Sequence, residues 1–364
     1  MPHVFRKPIL LVVRGLDAVG SGRQAALVAA GLMEAGADVH VAVTTAGGCL
    51  PGELAAAGCT VHRVGRRPVV DAAAAAGIVT LVARLQPGVV TAWGRSQVPL
   101  VVGARCAAVA VKLAGWLARP VRGPWATAML RRLDCVVAAS PATAESCRRL
   151  GVAERRIEPI PPGIGPAAAA RRLPRADVAR RLGLDPARQW TLCVAPLEAD
   201  SRLDRLIWAI DQLGVVRRDL QHVLVGAGPL LGRVLRRARV QEAADRLVVL
   251  PHCDLLPDLL AQVPLVWQSG EVAVGGAILD AMACGVPAVA VESDAARQLI
   301  ADGASGAIAP AVPESEFPRR AFTILEDTAL AARMAVAAGA RAAACFPAAA
   351  SVAAHVALHR RLAG

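Results

Sequence analysis

From Leu265 to Pro310 the chain reads as strand, glycine-rich turn, helix, strand, helix, strand, an order that few folds accommodate. Leu265-Val266-Trp267 is a short apolar run. Gly275-Gly276 precedes Ala277 to Ala283, strong helix formers at helical spacing. Gly285 and Pro287 stand where a helix usually stops. Pro287 to Val291 has no polar position, the pattern of a strand buried on both faces. A glycine pair before a helix leaves N–H groups and the positive dipole end open to an anion such as a diphosphate. The same pair equally serves tight packing with no ligand at all.

The alternation runs through the whole chain. Pro8 to Val13 is the first strand, and the loop Arg14 to Gly22 follows, ending Val19-Gly20-Ser21-Gly22. A helix is expected from about Gln24 to Glu34, and later strands at Asp38–Thr44, Thr60–Arg63, Pro87–Ala92, Ala107–Val111 and Asp134–Ala138. Ser140 is placed to cap a helix reaching Leu150. Pro161-Pro162-Gly163-Ile164-Gly165-Pro166 is the clearest linker. A second strand–helix series begins at Trp190, and the tail from Ala329 to Leu362 is helical with a break at Phe346-Pro347. This is an α/β chain of two doubly wound parallel sheets. Ligands in such sheets lie at the carboxyl ends of strands.

Composition narrows the function classes. Hydrophobic residues make up 55% of 364, enough for two sizeable cores. Lys+Arg 41 against Asp+Glu 29 gives a net charge of +12, and nearly all of the basic residues are arginines. A GC-rich coding bias accounts for that balance; attraction to nucleotide phosphates or an anionic membrane is the functional alternative. Nucleic acid is disfavoured, because aromatics for base stacking are scarce and the basic residues are spread out. Nine cysteines without a CxxC pair read as reduced thiols in a cytosolic protein, with no metal site. No apolar run is long enough to span a bilayer. The segment Lys112 to Arg132 mixes Trp116 and Trp125 with arginines. It reads as core and surface of the first domain, with an anionic membrane as the alternative.

Several segments, in order, resemble glycosyltransferase family 4. They are Gly20-Ser21-Gly22-Arg23-Gln24, Val136 to Pro141, Ile160-Pro161-Pro162-Gly163, Leu224 to Pro229, Leu279 to Pro287 and Asp302 to Gly306. The resemblance covers nearly the whole chain and implies the GT-B fold: two Rossmann-like domains facing a central cleft. The boundaries expected are 1–166 on the acceptor side, 167–346 on the donor side, and 347–364 as a helix returning to the first domain. The family moves a sugar, here expected to be a hexose, from a nucleotide-sugar to an acceptor, usually with retention and without a metal or other cofactor. The acceptor class stays open among glycan, lipid and small molecule. The protein is expected in the cytoplasm, with peripheral contact at the inner face of a membrane left open.

The resemblance carries over residue by residue, with departures. The family's two glutamates fall on Val272 and Asp280, and Glu271 is one residue off register. Its diphosphate-binding arginine and lysine fall on Pro196 and Ser201, with Arg202 adjacent. Donor contacts are therefore expected from Gly275, Gly276, Asp280, Arg202, His252 and Cys253, and Glu271 is the candidate catalytic carboxylate. Gly20, Ser21 and Gly22 form the candidate glycine loop of the first domain. The departures motivate a second reading, a glycosyltransferase-like protein that binds a nucleotide or a partner and no longer transfers sugar.

Overall fold

The computed structural model describes residues 5–16, 20–45, 51–65, 72–108, 110–164, 173–271 and 273–364. Two compact units divide the chain, Met1–Gly163 with Phe346–Gly364, and Ile164–Cys345.

The first unit begins β1 (Ile9–Val13), α1 (Gly20–Glu34), β2 (Val39–Val43), α2 (Pro51–Ala56), β3 (Thr60–Arg63), α3 (Ala72–Leu85) and β4 (Val89–Trp93). It continues α4 (Val98–Gly103), β5 (Lys112–Leu117), α5 (Pro124–Leu130), β6 (Cys135–Ala138), α6 (Pro141–Arg149) and β7 (Ile157–Pro159). The second unit holds α7 (Arg175–Leu182), β8 (Gln189–Val194), α8 (Leu203–Val216), β9 (Leu220–Val225), α9 (Leu231–Val240), β10 (Leu247–Leu250) and α10 (Leu256–Leu260). It closes with β11 (Val266–Gln268), α11 (Ala277–Ala283), β12 (Ala288–Val291), α12 (Asp294–Leu299), β13 (Gly306–Ala309), α13 (Glu316–Glu326) and α14 (Thr328–Cys345). The last helix, α15 (Ala348–Ala363), belongs to the first unit.

Strand order in the first sheet is β3-β2-β1-β4-β5-β6-β7, and in the second β10-β9-β8-β11-β12-β13. The strand pairs are parallel, so helices must cross over between them. Every residue of β1, β2 and β4 is buried, as strands between two helical layers require. Leu10, Val12, Ile78, Val90 and Leu113 build the first core; Leu206, Ile210, Leu224, Trp267 and Phe317 build the second.

Two sequence expectations are corrected locally. Gly20, Ser21 and Gly22 are not loop residues: they form the first turn of α1. The expected strand at Ala107–Val111 is displaced, because 104–107 winds as a tight turn and the strand is Lys112–Leu117. Its register against β4, Val89↔Lys112 through Trp93↔Trp116, fixes that choice. Two adjacent apolar runs look alike by periodicity alone. Ser140 caps α6 as expected, its hydroxyl accepting from the Thr143 N–H at 3.0 Å. The linker residues beyond Ile164, together with Val19 and Val272, lie outside the described residues. No described helix is long and apolar enough to cross a membrane.

Candidate functional site

In each sheet the crossovers run one way and then reverse, between β1 and β4 and between β8 and β11. Loops leaving the carboxyl ends of those strand pairs diverge, and the crevice they leave is where such sheets bind ligands.

In the second unit this crevice is built from main chain. The loop after β8, Ala195 to Arg202, is laced to the loop after β9: Leu197 N–H donates to Ala227 O at 3.0 Å, and Leu230 N–H to Leu197 O at 3.0 Å. Gly226 and Gly228 permit this closeness. A Cβ on Gly226 would lie 1.9 Å from the Ala195 carbonyl oxygen, and one on Gly228 2.5 Å from that of Leu197. On the other side the β8 loop meets the loop after β11. Glu271 N–H donates to Asp200 O at 2.9 Å, and the Ser269 hydroxyl donates to Ser201 O at 2.8 Å. A Cβ on Gly270 would sit 2.2 Å from Asp200 O. The Leu224–Pro229 segment is therefore a clasp for the strand-reversal loops.

The expected donor residues fall into two groups. Glu271, Gly275, Gly276, Asp280 and Arg202 all lie on loops or the helix start around the β8–β11 reversal. Gly275 takes a left-handed φ of 88°, which turns the chain into α11. Asp280 is 4% exposed, so its carboxylate is far from a solvated helix-start ornament. Glu271 is exposed. Arg202 is exposed and left-handed at φ 49°, a conformation costing a non-glycine residue roughly 1–2 kcal/mol. Such outliers gather at functional sites. His252 and Cys253 follow β10, two strands from the reversal. His252 Nε2 lies 2.6 Å from an Asp254 carboxylate oxygen, and the Cys253 side chain is turned inward at 6% exposure. α11 has only seven residues, which shortens the helix dipole the sequence invoked.

The positions expected to carry cations are occupied differently. Ser201 is 2% exposed and its hydroxyl donates to Pro196 O at 2.5 Å. It ties the loop to itself. Arg202, next along the chain, faces solvent instead.

The first unit's crevice is held by side chains. Gln24 of α1, 1% exposed, donates from Nε2 to Gly163 O at 2.7 Å and accepts from the Gly163 N–H at 3.0 Å. Arg23 adds a contact to the same carbonyl at 3.2 Å. Thr44, just past β2, donates its hydroxyl to Gln97 Oε1 at 2.9 Å, and Gln97 is fully buried. Residue type alone does not mark the Thr44–Gln97 pair, since both are ordinary loop residues. Trp93 and Trp116 stack at 4.9 Å beside His355 of α15. The His359 ring hydrogen-bonds Thr91 at 3.0 Å. Burial, and then the nearby His359 ring, pushes His355 down to about 3, so it is neutral.

Described cysteines are free thiols. Burial raises Cys59 and Cys147 to about 11 and Cys135 and Cys193 to about 12, values that suit packing rather than nucleophilic chemistry.

Residues 19–167 match the model of Glycosyltransferase Family 4, and residues 188–327 match that of Glycosyl transferases group 1. Both halves of the chain thus match glycosyltransferase models, the first half that of Family 4 and the second that of group 1. Its two Rossmann-like sheets are those of the GT-B fold. The chain is 28% identical over 165 residues to alpha-D-kanosaminyltransferase of Streptomyces kanamyceticus, across 44% of this chain and 42% of that protein. It is 29% identical over 197 residues to the GDP-mannose-dependent alpha-(1-6)-phosphatidylinositol monomannoside mannosyltransferase of Mycolicibacterium smegmatis, across 50% of each. The chain thus spans about half the length of the curated relatives it matches. The crystal structure of Anabaena HepE in complex with UDP and glucose overlays with a TM-score of 0.78 at 18% identity, over 99% of this chain and 100% of that one. At that identity the likeness is one of fold.

Proposed function

We propose that the protein transfers a glycosyl unit, a hexose, from a nucleotide-sugar to an acceptor, with the second unit as the donor side. The observation that carries this is the glycine-permitted lacing of the β8, β9 and β11 loops around the strand reversal, beside a buried Asp280. Transfer releases a nucleoside diphosphate, and the charge growing on it needs cations or aimed N–H groups. Arg202 is the cation we assign to it. Its left-handed turn presents a guanidinium one residue beyond the buried Ser201. Gly275 and Gly276 let main chain approach the diphosphate, and Asp280 is the hydrogen-bond partner for the donor ribose. His252 and Cys253 flank the nucleobase through their backbone. Glu271, one position from the expected carboxylate, is the group nearest the sugar in this reading. Gly20, Ser21 and Gly22, at the start of α1, serve the acceptor on the first unit. Retention, independence from metal and cofactor, and a cytoplasmic or membrane-peripheral location complete the proposal.

HepE was crystallised with UDP and glucose, and the mycobacterial relative is named for GDP-mannose, which sets the choice of donors to test. The purified protein is titrated with UDP, GDP, UDP-glucose and GDP-mannose, following melting temperature and donor hydrolysis. The expected result is stabilisation by one diphosphate and its sugar, with slow hydrolysis. Arg202→Gln lowers that affinity by about tenfold, and Asp280→Asn by a similar factor, with Arg202→Gln leaving the melting temperature intact. A protein that responds to no nucleotide rules the proposal out. The second reading, nucleotide or partner binding without transfer, is favoured by Pro196 and the self-tied Ser201 at the expected cation positions. It predicts stabilisation by nucleotide with no turnover in the presence of any acceptor.

A further inference from the structure

Between Asp71 and Asp134 the sequence holds eight basic residues and no carboxylate. These 62 residues supply α3, β4, α4, β5 and α5 of the first unit. Asp134, which closes the stretch, is engaged by Arg105 at 2.5 Å and by the Leu113 N–H at 2.8 Å. In the same stretch Trp125 is 66% exposed, whereas Trp93, Trp116, Trp190 and Trp267 are at most 3% exposed. Trp125 is the second residue of α5, and its neighbours Arg122, Gly123 and Pro124 are also exposed.

Geometry gathers these groups at one edge of the sheet. β4 and β5 are parallel neighbours that end together at Trp93↔Trp116. The turn after β4 presents Arg95, and the loop after β5 presents Arg122 and then Trp125. Arg95 and Arg122 are exposed, and no described carboxylate pairs with them. Arg131 and Arg132 follow at the far end of α5, about 10 Å along the helix. That is a little over the Debye length of about 8 Å at physiological salt, so they add to the same field, partly screened.

We infer that this edge of the first unit docks on an anionic lipid surface. The arginines meet the headgroup phosphates, and the Trp125 indole sits at headgroup depth, its ring in the apolar layer and its N–H in the wet one. A soluble polyanion would need the arginines alone and gives no reason to hold an indole in water. The reading of Lys112 to Arg132 as plain core and surface is thereby divided: Trp116 is core, and Trp125 is held out. The inference rests on charge and exposure in the first unit, and it stands whether or not the second unit transfers sugar.

The test is flotation of the full chain with phosphatidylcholine vesicles, with and without phosphatidylglycerol, at low and raised salt. Binding is expected only with phosphatidylglycerol, and weaker in salt. R95Q and R122Q each reduce partitioning about fivefold, and W125A on the order of tenfold. R236Q, an exposed arginine of α9, leaves it unchanged and separates this patch from the net charge of the whole chain. Brominated lipid quenches tryptophan fluorescence in the wild type and not in W125F. No flotation with phosphatidylglycerol overturns the inference, as does W125A binding like wild type or R236Q losing as much as R122Q. Retention on a soluble sulfated polysaccharide without vesicle binding assigns the patch to a soluble polyanion and also overturns it.

Discussion

The two strand reversals have the same topology and are held by different means. In the second unit, loops after β8, β9 and β11 hydrogen-bond main chain to main chain, and glycines make room. In the first unit, buried side chains do that work: Gln24 on Gly163, and Thr44 on Gln97. Main-chain lacing leaves the exposed Arg202 side chain outside the framework. Side-chain bracing uses up the polar groups at the rim. The proposed donor side would use the first arrangement, and the proposed acceptor side the second.

The largest break should come from Gly226→Ala. Its Cβ would meet a carbonyl oxygen at 1.9 Å, and main chain on both sides cannot yield. Destabilisation of about 3 kcal/mol or more, read from the urea midpoint, is expected together with loss of nucleotide binding. A wild-type midpoint would mean that the lacing is slack. Gln24→Ala tests the other device. It leaves the buried Gly163 amide without its side-chain partner and should cost about 1–3 kcal/mol, with nucleotide affinity in the second unit unchanged.

Acid gives a comparison between the units without mutation. His222 in the second unit and His355 in the first are each buried and lowered to about 3 from 6.5; burial is the chief cause for both, followed by Arg246 for His222 and His359 for His355. Their unfolded forms take up a proton as pH falls below 6.5 while the folded forms do not. Stability they leave intact above that pH is therefore lost progressively from about 6.5 down to about 3. His222→Gln should flatten the acid limb of the second unit's melting curve only, and His355→Gln that of the first. A limb unchanged by either substitution would sink the assignment. The smallest effect expected is from Thr44→Val, about 1 kcal/mol by thermal melting, because Gln97 keeps its second contact with Ser96.

Much of this was legible in the chain order. Fully apolar strands such as β1 and β12, joined by amphipathic helices, dictated parallel sheets, because only strands covered on both faces lack polar positions. The Ser140 cap, the break at Phe346-Pro347 and the family motifs are local features, and local chemistry is enough to read them. The position of β5 was not legible, since Ala107–Val111 and Lys112–Leu117 are both mostly apolar and register with β4 separates them. Nor was the meeting of Gln24 with Gly163, 139 residues apart in the chain. The same holds for the contrast between a buried Trp116 and a Trp125 left in water. Sequence determined which elements form, because hydrogen bonding and side-chain period act within a few residues. Tertiary structure decided which loops touch and which side chains stay free to bind, because those are distances between parts of the chain that only the closed sheet brings together.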